Sequence, residues 1–165
     1  IVHAAHGAAD DLLADFAFAL RAQGRRVRGL VQQYHGGHGK ESAMLVDLGT
    51  GQSYRLFQNL GPGSGSCSID PGSIAAASIA LRRSLDEAPD LVIINRFGAL
   101  EATGGGFVTE MAALVNANIP FLTVVAEPYL FDWQRFAGGV GTELAPELEA
   151  LQDWFDSLEH SEAPQ

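Results

Sequence analysis

The run Leu91-Val92-Ile93-Ile94 constrains this chain more than any other segment. It is short, wholly apolar, opened by Pro89-Asp90 and closed by the polar pair Asn95-Arg96. A run of that length with no polar alternation reads as a strand buried on both faces, as in the middle of a parallel sheet. Open α/β sheets bind their ligands just past the carboxyl ends of such strands. In this chain those positions hold Asn95, Arg96, Phe97 and Gly98. A nucleotide hydrolase needs a carboxylate there to hold Mg²⁺. An amide and a guanidinium stand there instead.

The rest of the chain alternates helix and strand signals around this run. Asp10 to Gln23 carries apolar residues at helical spacing and stops at Gly24; Arg26 to Gln33 reads as a second strand. Ala43 to Leu48 and Gln52 to Gln58 read as a hairpin around Thr50-Gly51. Leu60 to Ser68 is a loop by composition. Asp70-Pro71 opens a helix running to about Glu87, with Asp as cap and Pro at the first position. After Ile94, a loop over 95–106 leads to a helix from about Phe107 to Ala117. Pro120 to Ala126 is another buried strand, Tyr129 to Phe136 a short helix, and Glu143 to Leu158 a final amphipathic helix. The class is therefore α/β, a three-layer, mostly parallel sheet with an inserted antiparallel hairpin. Residues 1–158 are expected to form one domain, with 159–165 a flexible tail.

Composition narrows the function. A chain of 165 residues that is 47% hydrophobic can bury one sizeable core. A net charge of −10 argues against nucleic acid or an anionic membrane surface as a partner. No apolar run suits membrane insertion. The lone Cys67 allows no internal disulfide, so a cytoplasmic setting is the default expectation, and no signal peptide is visible.

The order of parts resembles the small P-loop nucleoside-triphosphatases of the cancer-related type. The landmarks are Gly24-Arg25-Arg26-Val27-Arg28-Gly29-Leu30, the strand ending Val46-Asp47-Leu48 before Thr50-Gly51, and Asp90 to Ile94 followed by Phe97-Gly98 and Glu101. The resemblance implies a P-loop-like fold. It also implies an Asp-Glu pair for Mg²⁺ and water at positions that are Asn95 and Arg96 in this chain. In the first turn, from His3 to Asp11, Ala9 and Asp10 stand where a phosphate-binding Lys and a Mg²⁺-binding Ser or Thr are expected. Asp10 would repel a phosphate. No nucleotide is therefore expected.

A second resemblance covers nearly the whole chain. Gly29-Leu30-Val31-Gln32, Cys67 to Gly72, Asn95-Arg96-Phe97-Gly98 with Glu101 and Gly104, Ile119-Pro120 and Phe136-Ala137-Gly138-Gly139 are similar to the bacterial family known as domain of unknown function 2478. Arg96 stands where that family often has Lys. The resemblance implies an association with molybdate transport and no settled activity.

Candidate site residues follow. Arg96 and Asn95 suit a tetrahedral oxyanion, because the guanidinium offers several donors in a fixed fork. The equal alternative is a structural clamp of Arg96 with Glu101 or another carboxylate. Gly104, Gly105 and Gly106 precede a helix and offer N–H groups for an anion, or form a plain turn. His3, His6 and Gly7 of the first loop complete the anion-binding set. His35 and His38 form a candidate metal pair, against the commoner case of exposed loop histidines. Glu101 is expected to hold the loop, Asp70 to cap its helix, Cys67 to be an ordinary thiol, and Phe131, Trp133 and Phe136 to be core or subunit contacts.

The expected function is a non-enzymatic oxyanion-binding protein taking molybdate or tungstate, alone or as clusters. The alternatives are a nucleotide sensor or slow triphosphatase, and an assembly partner of a transporter. Enclosing a cluster requires a homo-oligomer.

Overall fold

A computed structural model describes residues 8–37, 39–58 and 68–160, and the backbone of residues 2–3 and 161. Its elements are β1 (Val2–His3), α1 (Ala8–Ala22), β2 (Val27–Tyr34), β3 (Ala43–Asp47), β4 (Ser53–Arg55), β5 (Phe57–Gln58), β6 (Ser68–Ile69) and α2 (Pro71–Asp86). Then come β7 (Leu91–Phe97), α3 (Ala99–Ala102), α4 (Val108–Asn116), β8 (Phe121–Ala126), α5 (Leu130–Ala137) and α6 (Leu148–Ser161). One sheet has the order β1-β8-β7-β2-β3-β4. The pairs from β1 to β2 are parallel, and β2-β3 and β3-β4 are antiparallel. A small antiparallel pair, β5-β6, stands apart. This is the mostly parallel α/β sheet with an inserted hairpin that the sequence implies.

β7 lies between β8 and β2, as its composition requires. Leu91 and Ile93 face one core with Leu13, Phe16 and Leu20 of α1 and Leu151 and Phe155 of α6. Val92 and Ile94 face the other with Leu81 of α2 and Met111 and Leu114 of α4. All four strand residues are fully buried. Successive side chains of a strand point to opposite faces, so an unbroken apolar run fills both helix layers at once. Trp133 and Phe136 of α5 pack on Phe97, with ring centroids 5.4 and 5.9 Å away, so they lie half-buried against the core. Phe131 is exposed.

α2 starts where the cap signal places it. The Asp70 carboxylate accepts from the N–H groups of Gly72 and Ser73, with Pro71 at the first turn. The strand expected over Gln52 to Gln58 is two: β4 stays in the main sheet and β5 pairs with β6 in the small one. Other boundaries also differ from the sequence expectation. β7 continues through Asn95 and Arg96 to Phe97, so these two residues belong to a strand and not to the loop after it. The loop to the next helix contains the short helix α3. The last helix begins at Leu148 rather than Glu143 and runs to Ser161, into the segment read as tail.

Candidate binding site at the carboxyl edge of the sheet

A bulge at the end of β7 builds the site. Ile94 pairs with Thr123 and Phe97 with Val125, so β7 carries one residue more than β8 between these pairs. The extra residue falls at Asn95-Arg96. Bulges re-aim side chains and recur beside binding sites. Nothing in the local composition signals one, which is why the strand seemed to end at Ile94.

Arg96 is held from across the sheet. Its Nη2 donates to both carboxylate oxygens of Asp10, at 2.9 and 3.0 Å. Asp10 lies in the first turn of α1 and is fully buried. Arg96 is thus clamped by a carboxylate, and that carboxylate is Asp10 rather than Glu101. Asp10 Oδ2 also accepts from the Tyr34 hydroxyl at 3.1 Å and from Gln32 Nε2 at 3.3 Å. Gln32 and Tyr34 sit two apart on β2 and so share a face. Gln32 Nε2 donates to the Tyr34 oxygen at 2.7 Å, and its Oε1 accepts from Asn95 Nδ2 at 3.4 Å. Burial, then the Asp10 carboxylate, pushes the Tyr34 phenol above its ordinary value of 10.0. It therefore stays protonated and donates. One buried carboxylate thus collects a guanidinium, a phenol and an amide, as a buried charge must.

A pocket of about 570 Å³ opens beside this network. Asn95 and Arg96 form its polar wall with Gln32 and Tyr34, and Lys40 lines it from the single-turn helix Lys40–Ser42. Aromatic and aliphatic groups make most of the remaining surface, among them Phe57, Phe107, Tyr129 and Leu100. Lys40 Nζ lies 6.0 Å from the centroid of the Phe57 ring. The pocket sits at the carboxyl ends of β2, β7 and β8, where α/β sheets bind ligands. A smaller cavity of about 260 Å³ lies under α5 and α6. Among the described residues its charged lining group is a carboxylate, Glu143, which disfavours an anion.

The glycine segment after α3 is already occupied by protein. The N–H groups of Gly104 and Gly105 bond to the carbonyls of Glu101 and Leu100 and end α3. Glu101 Oε2 accepts from Gly98 N–H at 3.0 Å and Oε1 from Phe107 N–H at 3.1 Å. Gly106 has φ +56°, and a Cβ there would lie 2.0 Å from Glu101 Oε1. A carboxylate fills the cradle in which the sequence reading set an anion. Gly104, Gly105 and Gly106 therefore serve as a turn around Glu101, which holds the loop as expected.

The remaining sequence-derived residues divide by what is described. The His3 backbone pairs with Ala126 in β1. The His3 side chain, His6, Gly7, His38 and Cys67 lie outside the described residues. His35 is exposed in the turn after β2. Among the described residues no three His, Cys, Asp or Glu side chains gather as a metal set. Sequence reasoning missed Gln32, Tyr34 and Lys40. Lys40 carried a usable signal: it is the only lysine among ten cationic side chains.

The fold is that of a P-loop nucleoside-triphosphatase-like α/β domain. The solution structure of a human cancer-related nucleoside triphosphatase superposes with a TM-score of 0.70 over 98% of this chain and 97% of that one, at 15% identity. The chain belongs to the protein family of unknown function DUF2478, whose model matches residues 1–154. A relative, the molybdenum import ATP-binding protein ModC 2 of Bradyrhizobium diazoefficiens, is 38% identical over 148 residues, 88% of this chain. The chain spans 16% of that relative's length. Among the described residues no helix is long and apolar enough to cross a membrane.

Proposed function

We propose that this chain is a non-hydrolytic oxyanion-binding module that serves molybdate handling. The observation that carries this reading is the Asp10–Arg96 pair. In P-loop hydrolases a Mg²⁺ ion joins the hydroxyl at the end of the phosphate loop to a carboxylate on the neighbouring strand. In this chain an acid stands on the loop-to-helix side and a guanidinium on the strand side, and they bond directly. The guanidinium takes the place of the metal ion. No carboxylate is left on β7 to orient water, so phosphate hydrolysis has no general base there.

The same arrangement suits a tetrahedral anion. A fixed guanidinium and a lysine line one pocket, which gives a strongly acidic protein a local positive region. The relationship to a molybdenum import protein supports molybdate or tungstate as the anion. Assembly into a homo-oligomer belongs to the same reading where clusters are held.

The test is elemental analysis of the purified chain equilibrated with molybdate and with tungstate, paired with calorimetry at slightly acid and neutral pH. Saturable uptake is expected, weakened in Arg96→Gln. No uptake of either element overturns the proposal, as does Mg²⁺-dependent turnover of ATP or GTP.

A further inference from the structure

Both tryptophans of this chain, Trp133 and Trp154, line the cleft of about 260 Å³ under α5 and α6. Phe121 and Phe136 line it too, and all four aromatic side chains are half-buried, so folding leaves each with surface to cover. Val115 and Val140 edge the cleft and are 40% and 73% exposed. Its volume lies between the roughly 150 Å³ of a cavity that takes benzene and the roughly 300 Å³ at which pockets for larger organic ligands begin. One aromatic ring with a short side chain fits it.

One wall of the cleft belongs to the segment that joins α5 to α6. Gly141, Thr142 and Glu143 lie there in a row, exposed, and make no backbone–backbone hydrogen bond with a described residue. Their carbonyls are thus left to solvent or to a ligand. The Glu143 carboxylate accepts from Gln134 Nε2 at 2.9 Å and forms no ion pair among the described residues. No lysine or arginine is among the described residues that line the cleft. An aromatic body beside a rim of acceptors with one negative charge complements a cation.

We propose that this cleft binds an organic ammonium ion that carries one aromatic ring. The ring lies against Trp133, Trp154 and their phenylalanine neighbours, and the ammonium meets the Glu143 carboxylate at the mouth. Aromatic walls hold a flat ring by stacked or edge contacts. A primary ammonium has three donors and no acceptor, which matches a rim of carboxylate and unbonded carbonyls. The cleft shares no described lining residue with the pocket beside Arg96, so uptake of molybdate and binding of the amine succeed or fail separately.

The experiment titrates the full chain with phenethylamine and follows the two indole N–H signals by NMR. Both signals are expected to shift along one saturable curve, because both tryptophans line the cleft. Phenethyl alcohol keeps the ring and loses the charge. It should bind about three- to fivefold more weakly, and hydrocinnamate, with the opposite charge, about tenfold or more weakly. Glu143→Gln, a change at an exposed side chain, should bring phenethylamine to the level of the alcohol and leave the alcohol unchanged. Ethylammonium, which has no ring, should give no saturable shift. The proposal is overturned by no saturable shift with phenethylamine, by equal binding of the alcohol or of hydrocinnamate, or by a preference for the amine that survives Glu143→Gln. Saturable binding of ethylammonium overturns it as well. So do indole signals that move with protein concentration in the absence of any amine, which would assign the cleft to a second copy of the chain.

Discussion

Arg96 donates through one nitrogen to both oxygens of Asp10, a residue 86 positions earlier in the chain and fully buried. The pair ties the first turn of α1 to the bulged end of β7. Burying a carboxylate is tolerable only while its charge is matched. Arg96→Ala is therefore expected to cost about 3–5 kcal/mol of stability, because among the described residues the partners that remain to Asp10, Tyr34 and Gln32, are neutral. The double change Asp10→Leu with Arg96→Met should recover most of that loss. Urea unfolding of the three chains measures both. A single-variant loss below about 1 kcal/mol would mean that Asp10 is not dependent on the guanidinium.

The parts of this molecule that follow from local rules are those the sequence reveals. The double-faced burial of Leu91 to Ile94, the Asp70-Pro71 helix start and the hairpin at Thr50-Gly51 each rest on residues within a few positions of one another. The site does not. Asp10 reads as a misfit in a phosphate loop until Arg96 is placed beside it, and only the tertiary fold does that. The glycines at 104–106 suggest an anion cradle because the sequence does not show that Glu101 turns back into them. Lys40 lies in a short helical turn whose place over the pocket depends on how β2 meets β3.

Asp47 sets an acid limit on stability. It ends β3 and is 2% exposed. Burial works against its charge, but the hydrogen bond from Arg83 at 2.6 Å, with those from Thr50 and the Gly49 N–H, outweighs burial and holds its pKa below the ordinary 3.8. A carboxyl whose folded value is depressed contributes stability that is present above the unfolded value and lost as pH falls through the folded one. The unfolding free energy should therefore decline below about pH 4. Asp47→Asn should be about 1.5–3 kcal/mol less stable at neutral pH and show a shallower acid limb. Equal acid slopes for the two proteins would assign the limb to other groups.

Glu101 is expected to control the order of the pocket floor. Its two oxygens join the end of β7 to the start of α4 through Gly98 and Phe107. Gly106→Ala forces an L-residue into φ +56° and drives its Cβ into the carboxylate. Hydrogen exchange at the amides of Gly98 and Phe107 should speed up in both Gly106→Ala and Glu101→Ala, with a stability loss of about 1–3 kcal/mol. Unchanged protection at those two amides would show that the carboxylate does not hold the turn.

Gly29 separates two costs that glycine substitutions usually mix. It lies in β2, where the strand passes from pairing with β7 to pairing with β3, and its φ is +102°. A Cβ there would stand 2.0 Å from the carbonyl oxygen of Ile93, in the backbone of the central strand. That atom cannot swing aside as a side chain can. Gly51, in the turn before β4, also has positive φ, at +78°, but a Cβ there meets nothing within 4 Å. Gly51→Ala should therefore cost only the conformational strain, about 1–2 kcal/mol. Gly29→Ala carries the same strain plus a clash that must part β2 from β7, and should exceed about 4 kcal/mol or prevent folding. Thermal unfolding of the two variants side by side tests this. Similar losses in both would show that the β2–β7 contact yields at Gly29, and that the close approach of the two strands is not a requirement of the fold.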